Sequence, residues 1–207
     1  MRSDLSSFIR GIAVFLGCAA VFAGTIALYF FSLSHPLPIE SWTEIGQEAA
    51  LFLASAAMML AVRKAPSKAG GLWLVAFFLF CMFIRELDAF FDLIRHGSWK
   101  YAVIVSVLVA FALAYRSGVR TILPGLADFI RSRAFILMAA GLAMLLVYSR
   151  LYGWKGLWLT FQDGCGSWTD IKSFSEEAAE MVSYLLIFFS SVIYAIELPN
   201  EVRRGML

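Results

Sequence analysis

The chain has 207 residues, a length that suits one soluble domain, yet 61% of it is hydrophobic and its mean hydropathy of +0.79 exceeds what a soluble core absorbs. A net charge of +2 with no run of like charge also excludes a nucleic-acid-binding arm. These facts imply an all-α, polytopic integral membrane protein, a single transmembrane domain over 1–207, because hydrocarbon requires each spanning segment to satisfy its own backbone polar groups.

Six apolar segments are read as spanning helices, at about 9–32, 43–62, 71–93, 99–115, 133–152 and 175–196. The first, IRGIAVFLGCAAVFAGTIALYFF, contains a weak lipoprotein-type match, "LGCA", but its apolar stretch outruns a signal core and it is read as a helix. Small residues in the first span (Ala13, Gly17, Ala19, Ala23) and the second (Ala50, Ala54, Ala57, Ala61) permit close helix contacts. "RKAPSKAG" reads as a short turn between the second and third spans. The third span runs into ELDAFFDLIRH, Glu86 to His96, an unusual density of charge for the end of a spanning helix. The fourth span is the shortest. After it, "RSGVRTILPGLADFIRSR" interleaves arginines with Ile122, Leu123, Leu126, Phe129 and Ile130, a segment expected to lie along the membrane surface against anionic lipid. The loop from Tyr152 to Lys172 carries Trp154, Trp158 and Trp168, which favour the membrane interface.

Sorting the charges by side gives the orientation. With the N-terminus inside, Arg2, Arg10, Arg63, Lys64, Lys68, Arg116, Arg120, Arg131, Arg133, Arg203 and Arg204 fall on the cytoplasmic side, against Arg85, Arg95, Lys100, Arg150, Lys155 and Lys172 outside. The positive-inside rule thus places both termini in the cytoplasm, with a bacterial inner membrane as the expected location. Cys18, Cys81 and Cys165 form neither a zinc spacing nor a disulfide framework, and Cys165 is read as a loop residue.

Three stretches resemble one another: ESWTEIGQEAA from Glu40, GSWKYAVIVSV from Gly97 and GSWTDIKSFSEEAAE from Gly166. Each sets a Ser-Trp pair at the outer start of a helix, where serine caps exposed amides and tryptophan sits at the interface. The first and third share enough to suggest repeated helical hairpins.

Depth then singles out the acids. At about 1.5 Å per residue, Glu86 and Asp88 lie roughly 21–24 Å into a layer about 30 Å thick, and Glu48 and Glu180 reach about 22 and 25 Å when counted from the same side. Three spans therefore deliver carboxylates to one outer layer. Asp88, Asp92 and His96 follow at intervals of four, as do Glu44 and Glu48, while Glu86 points away from Asp88. Local pairing with Arg85 and Arg95, and a helix N-terminus near Glu176 and Glu177, account for the shallow acids. They do not account for Glu48, Glu86, Asp88 and Glu180, because an unpaired charge at that depth costs several kcal/mol.

The expected site is thus an outward-facing carboxylate cluster on the second, third and sixth spans. Carboxylates with an imidazole are hard ligands that suit a divalent metal such as Mg, Ca, Mn, Fe or Zn. In the metalloenzyme reading, Glu48, Glu86, Asp88, Glu177 and Glu180 supply ligands or a base, His96 is a further ligand and Arg85 clamps an anion, for chemistry on a lipid or lipid-soluble substrate. The alternatives are a small cation or solute transporter, or proton-coupled carrier, using the same acids, and a non-enzymatic partner or sensor subunit in which they lock helices together. Tyr184, one turn beyond Glu180, is a candidate donor to it.

Overall fold

In the computed structural model, residues 2–35, 37, 41–159 and 168–201 are described. Every regular element among them is helical: α1 (Arg2–Ser34), α2 (Trp42–Lys64), α3 (Ala69–Glu86), α4 (Asp88–Asp92), α5 (Trp99–Arg116), α6 (Ile122–Arg131), α7 (Ala134–Ala143), α8 (Arg150–Gly153), α9 (Lys155–Leu159) and α10 (Trp168–Glu197). A π-helical turn, Met144–Ser149, joins α7 to α8. Among the described residues six helices are long and apolar enough to cross a membrane, including Pro66–Glu86, Ala134–Gly153 and Ile171–Glu197. This is the composition of an integral membrane protein.

Two compact units divide the described chain, 1–45 and 46–207. In the first, α1 ends in a local knot. The Trp42 amide donates to Ser32 Oγ (3.2 Å), its indole N–H donates to the His35 carbonyl (3.1 Å), and Phe31 stacks on His35. Ser41 caps α2 as expected: its hydroxyl accepts from the Glu44 amide at 3.1 Å while the Glu44 carboxylate accepts from the Ser41 amide, a reciprocal capping box.

In the second unit, α2 is the central helix. Its residues Leu51, Ala54, Met58 and Ala61, spaced three and four apart, are fully buried in a core with Leu72, Ala76 and Leu79 of α3 and Tyr184, Ile187 and Tyr194 of α10. Ser55 of α2 donates to the Ala76 carbonyl of α3 (3.0 Å), and Lys64 donates to the Ala195 carbonyl of α10 (2.6 Å). On the far sides, α3 packs against α5 and α6, and α10 against α7 and the π turn.

The α3–α6 crossing is set by glycine. A Cβ on Gly71 would strike the backbone of Ile122 and Leu126, and one on Gly125 would strike the Lys68 carbonyl. The two backbones meet without side chains between them, which fixes α6 across the start of α3. Around this crossing Lys68 pairs with Asp128 (2.7 Å), the Tyr194 hydroxyl donates to Asp128 (2.8 Å), and Gly70 N–H donates to Thr121 Oγ1 (2.9 Å). The C-terminal ends of α2, α5 and α10 are thereby gathered with α6 at one end of the unit.

Several features differ from expectation, among them the start of α1, at Arg2 rather than residue 9. The third span does not continue to residue 93: it stops at Glu86, Leu87 leaves helical geometry (ψ 17°), and a short α4 follows. The apolar run ends here, so the backbone is free to leave the helix where polar partners become available. The helix of the sixth span, α10, begins at Trp168 rather than 175, which puts Glu176 and Glu177 in the helix interior and removes the N-terminal dipole as their support. Ser98 does not cap α5 through its side chain; its hydroxyl donates instead to the Phe91 carbonyl (2.7 Å). Cys165 and the Ser167 of the third Ser-Trp pair lie outside the described residues.

Because backbone rather than flexible side chain fills the space at the crossing, Gly71→Ala and Gly125→Ala are each expected to destabilise the protein by about 1–3 kcal/mol, measured as a lowered thermal unfolding midpoint in detergent. Gly17→Ala, with nothing within 4 Å of its added methyl, serves as the control.

Candidate functional site

The end of the second unit opposite the glycine crossing collects the acids. Three elements build it: the last turn of α3, the π turn with α8, and the middle of α10. Glu86 is the final residue of α3, and it faces α10, where the Tyr184 hydroxyl addresses its carboxylate as a hydrogen-bond donor. Glu180 lies one turn before Tyr184 on α10 and accepts from Ser149 Oγ at 2.7 Å. Glu180 stands close enough to Glu86 for its charge to act there, Arg85 is near enough to attract both, and Glu180 also has Glu176 and Arg150 as charged neighbours. The result is a pair of half-buried carboxylates from two helices, each with its own hydroxyl donor.

Ser149 reaches Glu180 because the wider π turn re-aims the last residues of the fifth span, a use of such turns that recurs at functional sites. Both hydroxyl donors are deeply buried, Tyr184 at 2% and Ser149 at 1% exposure. They are held by packing and lose little freedom in making their bonds.

The other acids have different surroundings. Asp88 pairs with Arg85 at 3.0 Å, and both side chains are substantially exposed. The Arg85 guanidinium also lies 5.9 Å from the Trp99 ring centre, a cation–π contact. The break at Leu87 thus settles which acid of ELDAFFDLIRH faces the bundle: Glu86 does, and Asp88 belongs to the surface pair. Glu48 is buried on α2 at 9% exposure. Its neighbour Gln47 donates to the Glu177 carbonyl of α10 (3.3 Å), joining the two helices at this level through the Glu177 backbone. Glu176, the acid before it, is held by Lys172 at 2.9 Å.

His96 stands apart from the α3 helix that carries Glu86. It follows the end of α4, is almost wholly exposed, and binds Asp92 through Nδ1 at 2.7 Å. Asp92 also accepts from Gly97 N–H at 2.8 Å, in a turn where Gly97 adopts φ +75°. The Gly97 amide, and after it the His96 ring, hold the Asp92 carboxyl below the ordinary carboxylate range. The stabilisation this gives is present above the unfolded carboxylate pKa and is lost as the pH falls through the lowered folded value. The four-residue spacing of Asp88, Asp92 and His96 therefore does not make one ligand face: Asp88 serves Arg85, and the other two close a turn. Among the described residues no three of His, Cys, Asp and Glu are grouped so as to hold a metal ion.

Beside the acids, on another face of α10, an open cavity of about 760 Å³ is lined by Met144, Tyr148, Tyr152 and Trp158 with Ser175 and Ala178 among its α10 residues. At 100° per residue, Ser175, Ala178 and Val182 share one side of α10, and Glu180 and Tyr184 fall on the other. Compared with protein-family models, with curated proteins and with solved structures, the chain matches none. The site is therefore read from its own chemistry.

Sequence reasoning missed Ser149. A serine beside Arg150 at the end of an apolar span carries no special signal, and only the π turn directs it at Glu180. The same reasoning offered Glu180 or a backbone carbonyl as acceptors for Tyr184, whose hydroxyl is directed at Glu86. Tyr184→Phe leaves the Glu86 carboxylate without that donor in a partly dehydrated place, and a loss of about 1–3 kcal/mol is expected. The measurement is thermal unfolding of the purified variant, and Ser149→Ala is expected to lose stability through Glu180 in the same way.

Proposed function

We propose that this membrane protein binds a small cation, exchangeable with protons, at the Glu86–Glu180 pair and carries it across the membrane. One observation supports the reading above all: two carboxylates from different spanning helices stand close together, served by neutral hydroxyl donors, while of the two guanidinium groups whose fields reach them, Arg150 acts on Glu180 and Arg85 is directly bonded to Asp88. Such a pair holds negative charge that a cation or a proton neutralises, and acids placed this deep commonly mark ion and proton paths. Tyr184 and Ser149 add oxygen atoms, so the donor set is hard and suits an alkali or small ammonium cation. The orientation that goes with this reading is the one the charges favour: both termini cytoplasmic in a bacterial inner membrane, and the acid pair near the outer face.

A second reading is supported by the cavity beside the pair, whose aromatic and apolar lining suits an acyl or polyisoprenyl chain. In it the same acids, joined by Glu48, Asp88, Glu177 or His96 after rearrangement, hold a divalent metal for chemistry on a lipid substrate, with Arg85 clamping an anion. That reading requires ligands to gather from positions that are now separate.

Proteoliposomes distinguish the two. Uptake of sodium, potassium and methylammonium, driven by an imposed pH gradient, is expected in wild type. It should fall about tenfold or more in Glu86→Gln and in Glu180→Gln, yet persist in Asp88→Asn, whose acid serves the surface pair. Uptake that survives both glutamine variants contradicts the carrier. A stoichiometric divalent metal in purified protein, lost in the same variants, moves the assignment to the enzyme.

A further inference from the structure

The face of α6 turned away from the glycine crossing has a chemistry of its own. Gly125 and Phe129, which are buried, define its docked side. About 100° or more further round stand Leu123 and Ile130, exposed at 75% and 55%. Beyond them on the same helix comes Arg131, and Arg116, Arg120 and Arg133 flank the helix at its two ends; all four arginines are exposed. Asp128, the acid of α6, is already engaged by Lys68 and Tyr194 on the docked side. Among the described residues no ion pair involves any of these four arginines.

An apolar ridge beside a row of guanidinium groups, on a helix that lies across the end of a membrane-spanning bundle, matches the boundary of a bilayer. The ridge suits the upper acyl region, and the arginines then lie level with the phosphates. Guanidinium binds phosphate oxygens bidentately, and each basic residue near an anionic leaflet adds appreciably to attraction. The backbone contacts of Gly71 and Gly125 hold α6 in place, so the ridge and the arginines keep one orientation without a lipid to induce it.

We infer that α6 and its flanking arginines form a binding face for anionic glycerophospholipid headgroups, with Leu123 and Ile130 inserted beside the acyl chains. The face lies at the end of the unit remote from the acid pair and acts independently of what that pair binds.

The test uses the full chain, purified and delipidated in a neutral detergent, with phosphatidylglycerol or phosphatidylcholine of identical acyl chains added and retained lipid counted by native mass spectrometry. Wild type is expected to retain phosphatidylglycerol with about tenfold preference, falling toward parity at high salt. A variant carrying Arg116→Gln, Arg120→Gln, Arg131→Gln and Arg133→Gln is expected to lose the preference while keeping its unfolding midpoint in phosphatidylcholine, because these side chains are exposed. Equal retention of the two lipids by wild type overturns the proposal without recourse to the variant. So does a preference that survives the four substitutions, or one that high salt leaves unchanged. Burial of Leu123 and Ile130 in a detergent-resistant dimer would assign the face to a second copy of the chain.

Discussion

A carboxylate in hydrocarbon must find hydrogen bonds, a counter-charge or a proton, and the acid end of this bundle is organised around that requirement. Glu86 takes the hydroxyl of Tyr184, Glu180 takes that of Ser149, and Arg85 lends its field while bonding Asp88. Hydroxyls satisfy lone pairs without cancelling charge. The arrangement therefore leaves two carboxylates, one on α3 and one on α10, whose charge only the fields of Arg85 and Arg150 oppose, at a cost that adjacent packing must offset. The break at Leu87 and the π turn before Arg150 are the local departures from regular helix that let α3 and α10 share this polar contact.

Rigidity at the other end complements it. Gly71 against Gly125, with Lys68, Asp128 and Tyr194 around them, ties the start of α3 to α6 and α10 by backbone contact and a closed polar network. Every member of that network has a partner, so it specifies one arrangement of helices. Tyr184 and Tyr194, ten residues apart on α10, each direct a hydroxyl to an acid, one at each end of the core. Between them α10 buries Ile187 against the apolar face of α2.

Much of this was legible in the sequence. The length of each apolar run revealed the spans, because a bilayer sets a fixed minimum length, and the ends of α2, of α5 and of the fifth span, Ala134–Gly153, fall within a residue or two of the expected ones. The Ser41 cap of α2 followed from the Ser-Trp pair at the helix start. Depth along a helix singled out Glu86 and Glu180, which the fold brings close together. What spacing did not reveal was where the helix ends: α4 stops at Asp92, and the turn at Gly97 takes His96 off the face that Asp88 and Asp92 share by spacing. Nor does any sequence signal announce a π turn, so Ser149 passed unnoticed. The early start of α10 was hidden by its polar first turns, which length and hydropathy alone assign to the loop.

The central claim is that Glu86 and Glu180 act as one site. A double-mutant cycle tests it most directly, with Glu86→Gln, Glu180→Gln and the combined variant compared with wild type by thermal unfolding at neutral pH in one detergent. The account predicts that the two effects fail to add by about 0.5–3 kcal/mol, because neutralising one acid relieves the repulsion felt by the other. Effects that add within about 0.3–0.5 kcal/mol would mean the two acids are energetically independent, and would contradict it.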